Sequence, residues 1–267
     1  MVTEPKTLEE AKAMVSGTLG LEMERYPLRF ASVAYFGPSL KRDMPITVRS
    51  GSASLLVFGG KPVVVTCSHV LQGYRDMQAE IENCFFQIGN CKLNPLAQLI
   101  DESQEFDIAV IALTDKQVQE VTNGKYGFGE FFVDPPVWPP ASVIAGEFVA
   151  YGGYPGELRK ALSFNELSFG SYSSGASRVT ATHDNFFVCQ FEREHWVTHH
   201  FEPEPTTIRG MSGGPVFAIR RSKDSGLVTY EFVGIIYQFS EEFELLYVRL
   251  AGVLGSDGSV TGLLAKP

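Results

Sequence analysis

From residue 27 onward the chain is cut into short β-branched or aromatic runs separated by Gly, Pro, Asn and Asp. That punctuation reads as an all-β sandwich or barrel, with little room for long helices. Ser54 to Phe58 and Pro62 to Thr66 flank Gly59-Gly60 with the two-residue spacing of a tight hairpin. Further strand candidates are Cys84 to Ile88, Asp107 to Leu113, Phe148 to Tyr151, Phe186 to Phe191, Val216 to Ile219, Tyr230 to Ile236 and Leu246 to Leu250. Residues 114–140 differ in texture: Asn123-Gly124, Asp134-Pro135-Pro136 and Trp138-Pro139-Pro140 cannot sustain regular ladders. The expected organisation is a helical extension over 1–26, strand-rich halves over 27–113 and 141–267, and a connection over 114–140. The extension's helix opens at Thr7, where Thr7-Leu8-Glu9-Glu10 has the capping-box pattern. Leu8, Ala11, Met14 and Val15 share one face of it, and Gly17 and Gly20 are expected to end it.

Composition narrows the function classes. A chain of 267 residues with 44% hydrophobic and 20% charged side chains can bury one large or two small cores without a metal or disulfide staple. The net charge of −9, without a dense basic run, disfavours nucleic acid and anionic membrane surfaces as partners. No stretch approaches 18 uncharged apolar residues, and the start lacks the basic and apolar regions of a secretory signal. Cys67, Cys84, Cys91 and Cys189 form no CxxC pair and read as reduced thiols of a cytoplasmic protein.

The most informative segment is Arg209-Gly210-Met211-Ser212-Gly213-Gly214-Pro215. Three glycines and a proline around one serine specify a tight backbone that can expose the Ser212 hydroxyl and aim neighbouring amides at one point. Acyl transfer requires both from a nucleophile and its oxyanion donors. The segment also satisfies the G-x-S-x-G elbow of α/β-hydrolases, but there the histidine follows the serine. Here His69, His183, His195, His199 and His200 all precede Ser212, so that reading fails on order.

A base is therefore sought upstream. His69 ends the β-branched run Val63-Val64-Val65-Thr66-Cys67-Ser68, flanked by small residues. Asp107 opens the apolar run Ile108 to Leu113, and a carboxylate there must be hydrogen-bonded if buried; an imidazole Nδ1–H is a suitable donor. His195 and His199 are four apart but lack the glutamate of H-E-x-x-H, so no metal is expected, and His195 to His200 read as a solvated polar segment. Gly152-Gly153 lacks a phosphate-binding continuation, and no cofactor is implied.

Thr66-Cys67-Ser68-His69-Val70, Phe106-Asp107-Ile108-Ala109-Val110 and Gly210-Met211-Ser212-Gly213-Gly214-Pro215 together resemble, in order, the three motifs of the trypsin-like peptidases of the chymotrypsin fold. The resemblance covers about residues 27–262 and implies an all-β chain of two six-stranded antiparallel barrels with the site between them. It implies Ser212 as nucleophile, His69 as general base and then acid, Asp107 as the residue orienting the imidazole, and the Gly210 and Ser212 amides as the oxyanion hole. It implies a serine endopeptidase acting on a protein or peptide; the alternative is a catalytically silent peptide-binding module on the same scaffold. Val70 stands where secreted members carry a disulfide cysteine, and Met211 where members activated by cleavage carry an acid. The resemblance places Thr206 at the pocket base and Tyr237, Phe239 and Leu245 in its walls. Without an acid there, a small or medium uncharged residue is expected before the scissile bond. Control by a regulatory protein partner is left open.

Overall fold

A computed structural model describes residues 17–38, 47–123, 129–133, 137–163, 166–191, 205–221 and 227–262. The helix expected at Thr7 and the segment His195 to His200 lie outside the described residues. Helix α1, Thr18–Arg29, instead runs straight through Gly20. Glycine costs a helix about 1 kcal/mol, and packing outweighs it here. Tyr26 at the inner end of α1 stacks on Tyr230 at 4.1 Å and meets the Phe30 and Phe217 rings edge-on at 5.3 Å. Gly152 makes that approach possible: a Cβ there would lie 2.9 Å from Leu28 Cδ2.

The N-terminal sheet is built from β1 (Ala31–Pro38), β2 (Arg49–Phe58), β3 (Lys61–Thr66), β4 (Cys84–Ile88), β5 (Cys91–Leu93), β6 (Leu99–Ser103) and β7 (Ile108–Ala112). They pair in the antiparallel order β5-β4-β1-β2-β3-β7-β6, and β8 (Phe132–Val133) lies parallel against β2. The expected hairpin is present, with Leu55 opposite Val64 and Phe58 opposite Lys61. Two helices break the expected strand pattern: α2, Ser68–Glu80, follows β3 directly, and α3, Asp115–Thr122, opens on a capping box between Thr114 and Gln117.

The C-terminal half contains β9 (Phe148–Gly153), a hairpin of β10 (Arg159–Ser163) and β11 (Glu166–Phe169), then β12 (Tyr172–Thr182), β13 (Phe186–Gln190), β14 (Pro215–Arg221), β15 (Val228–Ser240) and β16 (Leu245–Leu250). Six of these close a barrel in the order β12-β13-β16-β15-β14-β9. The all-β architecture expected from the sequence is therefore present, with two differences: the N-terminal sheet has eight strands rather than six, and it curls without closing. Its two edges are occupied otherwise. Helix α3 packs against β5, and the amide of Val260 donates to Asp101 Oδ2 of β6 at 2.7 Å.

Two buried clusters fill the halves. One gathers Leu55, Val64, Ile111, Phe86 and Leu71, with Phe217 and Phe232 reaching in from the barrel strands; the other gathers Tyr151, Phe187, Val216, Leu246 and Val248. All four cysteines are free. No described helix is long and apolar enough to cross a membrane.

Candidate active site

His69 sits in the first turn of α2, not on a strand. The strand β3 ends at Thr66, and Val70, Leu71, Tyr74 and Met77 turn one helical face into the core. Ser68 Oγ donates to Glu102 Oε1 at 2.6 Å, and the Arg75 guanidinium grips both oxygens of Glu102. Arg75 and Ser68 together hold the Glu102 carboxyl below its ordinary pKa. This charged clamp pins α2, and hence His69, to β6.

Asp107 follows the β6–β7 turn with φ +53°, a left-handed conformation that few non-glycine residues adopt. From there its Oδ1 accepts the His69 amide at 2.9 Å and its Oδ2 lies 2.7 Å from His69 Nδ1. A carboxylate can only accept, so Nδ1 carries the proton, and in the neutral imidazole Nε2 is then the nitrogen with the free lone pair. The same carboxylate meets the positive end of α2 through the His69 amide.

The serine loop is shaped by three glycines, as its composition led one to expect. Gly210 and Gly213 have φ of +99° and +94°. A Cβ would lie 2.1 Å from Ser52 O at Gly213 and 2.2 Å from Gly152 O at Gly214, so only glycine fits. Hydroxyls from the first sheet hold this loop. Ser52 is fully buried on β2; its amide donates to Ser212 O at 2.8 Å, its Oγ donates to Gly210 O at 2.9 Å, and that Oγ accepts from the Tyr154 amide at 2.8 Å. Ser54 Oγ donates to Gly213 O and Thr66 Oγ1 to Ser52 O, both at 2.8 Å.

The Gly156 amide donates to Arg209 O at 2.7 Å. In a trans peptide the carbonyl and the next N–H point oppositely, so this bond turns the Gly210 N–H away from Gly156. Among the described residues the Gly210 and Ser212 amides meet no protein acceptor. Met211, between them, is fully buried.

His69, Ser212 and Gly210 line one cavity of about 220 Å³, together with Phe36, Arg49, Ser50, Gly51, Val70 and Gly73. No hydrogen bond joins Ser212 Oγ to the His69 ring among the described residues. Thr206, Tyr237, Phe239 and Leu245 lie outside this cavity. Thr206 is exposed and bonded to Glu157 through its hydroxyl at 2.7 Å and its amide at 3.2 Å. Tyr237 lies under Arg249, Phe239 packs on Phe191 at 5.2 Å between ring centres, and Leu245 is half-buried opposite Gln190. Sequence reasoning overlooked Arg49 and Ser52, for which no local pattern signals a site.

Cys67 Sγ, a His69 nitrogen and an Asp107 oxygen lie within 4.8 Å of one another. They do not suit a metal. The His69 and Asp107 atoms are engaged with each other, and burial pushes the Cys67 thiol well above its ordinary pKa while it donates to Ile236 O.

A closed antiparallel barrel beside a curled antiparallel sheet is a chymotrypsin-like architecture. The model of the trypsin-like peptidase domain matches residues 51–223, well over half of the chain. The chain belongs to that family. No curated protein sequence matches it. Similar solved structures include the catalytically active tobacco etch virus protease complexed with product, at 12% identity over 85% of this chain and 76% of that one, TM-score 0.42. The tobacco vein mottling virus protease is another, at 12% identity over 84% and 77%, TM-score 0.41. Likeness at this level says nothing of this chain's chemistry.

Proposed function

We propose that this chain is a serine endopeptidase that works through an acyl-enzyme, with Ser212 as nucleophile, His69 as base and acid, and Asp107 as the orienting carboxylate. The observation that carries the reading is the pairing of Asp107 with both the amide and Nδ1 of His69, on the same cavity as Ser212. With Nδ1 protonated, His69 Nε2 takes the Ser212 proton as Oγ attacks the scissile carbonyl. The developing oxyanion is met by the Gly210 and Ser212 amides, which have no protein acceptor among the described residues. Collapse of the tetrahedral intermediate expels the amine, which leaves with the proton from Nε2, and water repeats the sequence in reverse. Bonds of this kind are often long before substrate binds, so the resting separation of Ser212 and His69 is compatible with that role.

The buried Met211 offers no charge to a freed α-amino group, so the site needs no proteolytic maturation. The cavity beside Ser212 shares no residue with Thr206, Tyr237, Phe239 or Leu245. If those four receive the side chain before the scissile bond, the cavity receives the chain after it. The test is turnover of a casein-type substrate by the wild type, Ser212→Ala and His69→Ala. Each substitution is expected to lower kcat by about 10⁴- to 10⁶-fold, with the double variant little worse than either single. Peptide binding without turnover in the wild type would assign the chain to the silent binding modules instead.

A further inference from the structure

Arg249, on β16, is 6% exposed and is the only buried charged side chain among the described residues. Among the described residues no carboxylate pairs with it directly. Its Nε donates to Phe106 O at 2.7 Å, its Nη1 to Asn185 O at 3.3 Å, and its guanidinium carbon lies 4.3 Å from the Tyr237 ring centre. Burying a cation without an ion partner is costly, so these contacts must offset much of that cost.

Their placement is informative. Phe106 O and the Asp107 amide belong to one peptide group, and both its polar ends are held: the oxygen by Arg249 and the N–H by Gln104 O at 3.3 Å. That peptide sets the φ of +53° from which the Asp107 carboxylate reaches His69. Left-handed backbone at a residue with a Cβ is unfavourable and needs to be held in place.

We propose that Arg249 is a positioning residue for the Asp107–His69 pair: from the C-terminal barrel it clamps the backbone of Asp107. The proposal rests on the serine-peptidase reading above. Burial lowers the Arg249 pKa, while Tyr237, Asp107, Cys67 and Glu105 oppose that shift. The charged and titratable groups facing the pair are thus Arg249, Tyr237, Cys67, Glu102 and, toward Arg249, Glu105.

The test compares Arg249→Met and Arg249→Lys in the full chain, by chemical unfolding, by kcat and KM, and by the low-field proton NMR resonance of His69 Nδ1–H. Arg249→Met is expected to lower kcat about 10- to 100-fold with little change in KM. The resonance should broaden or vanish. Arg249→Lys keeps the charge and loses the fork, so kcat should fall about 5- to 10-fold. A folded Arg249→Met protein with an intact resonance overturns the proposal, whatever its kcat. Should the methionine variant fail to fold, full kcat and an unchanged resonance in Arg249→Lys overturn it instead. The resonance also separates two failures. Wild-type protein without Ser212-dependent turnover overturns the peptidase reading, whereas retention of the resonance in Arg249→Met overturns the role of Arg249 independently of activity.

Discussion

Replacing Ser52 by alanine removes one oxygen atom from a fully buried position on β2. That oxygen donates to Gly210 O and accepts from the Tyr154 amide, at 2.9 and 2.8 Å. The variant leaves one acceptor and one donor without partners, in a space no larger than the lost hydroxyl. Each stranded group costs about 1–3 kcal/mol, and slight relaxation recovers part of this, so a loss of about 2–4 kcal/mol is expected. Ser54→Ala is the internal comparison. It strands only Gly213 O, so about 1–2 kcal/mol is expected. Because Gly210 O anchors the loop that presents the Gly210 amide, Ser52→Ala should also lower kcat, by about tenfold if the amide is misaligned, against the roughly 10²- to 10³-fold loss of an oxyanion donor removed outright. Urea unfolding at unchanged slope measures the first quantity and steady-state kinetics the second. Stability within about 0.5 kcal/mol of wild type, with kcat within twofold, would refute the view that this hydroxyl braces the serine loop.

Arg49 lines the cavity beside Ser212 and forms no ion pair among the described residues. Peptide libraries varied after the scissile bond should therefore favour Asp and Glu over Lys and Arg by about three- to tenfold, near 1 kcal/mol for a partly solvated pair, and Arg49→Glu should invert the order; an order that ignores this charge reversal counts against the subsite. Glu24, on α1, is pushed up to about 7 by burial. An acid whose pKa is higher folded than unfolded binds more protons when folded, so its contribution to stability falls as pH rises from about 4.5 through 7. With the side chain half exposed, the effect is discounted to roughly 1 kcal/mol; Glu24→Gln should be more stable than wild type by that amount at pH 8 and equal to it at pH 4, and an equal difference at both pH values would contradict this.

What could be read from the chain in advance divides along physical lines. Strands such as Lys61–Thr66 and Cys84–Ile88 announce themselves because β-branched or aromatic residues fill them and turn residues bound them. Helix α2 was hidden by its own start: Val63 to Val70 looks like one continuous strand until the apolar spacing of Val70, Leu71, Tyr74 and Met77 is given more weight than β-branching. Gly210, Gly213 and Gly214 were legible because the need for glycine is local. Ser52 and Arg249 were not. Ser52 meets Gly210 across 158 positions of sequence, and Arg249 meets Phe106 across 143. Their roles arise only when the sheet and the barrel come together. The same holds for the cavity, whose walls Phe36, Arg49 and Val70 come from three separate elements.

The central claim is that Ser212 is a nucleophile activated by His69. Incubating the full chain with a fluorophosphonate probe and mapping the adduct by mass spectrometry tests it directly. The account predicts one phosphonylated residue, Ser212, with labelling abolished in Ser212→Ala and slowed by at least about 10³-fold in His69→Ala. No adduct on folded wild-type protein, or an adduct on Ser212 that forms equally fast without His69, would contradict it.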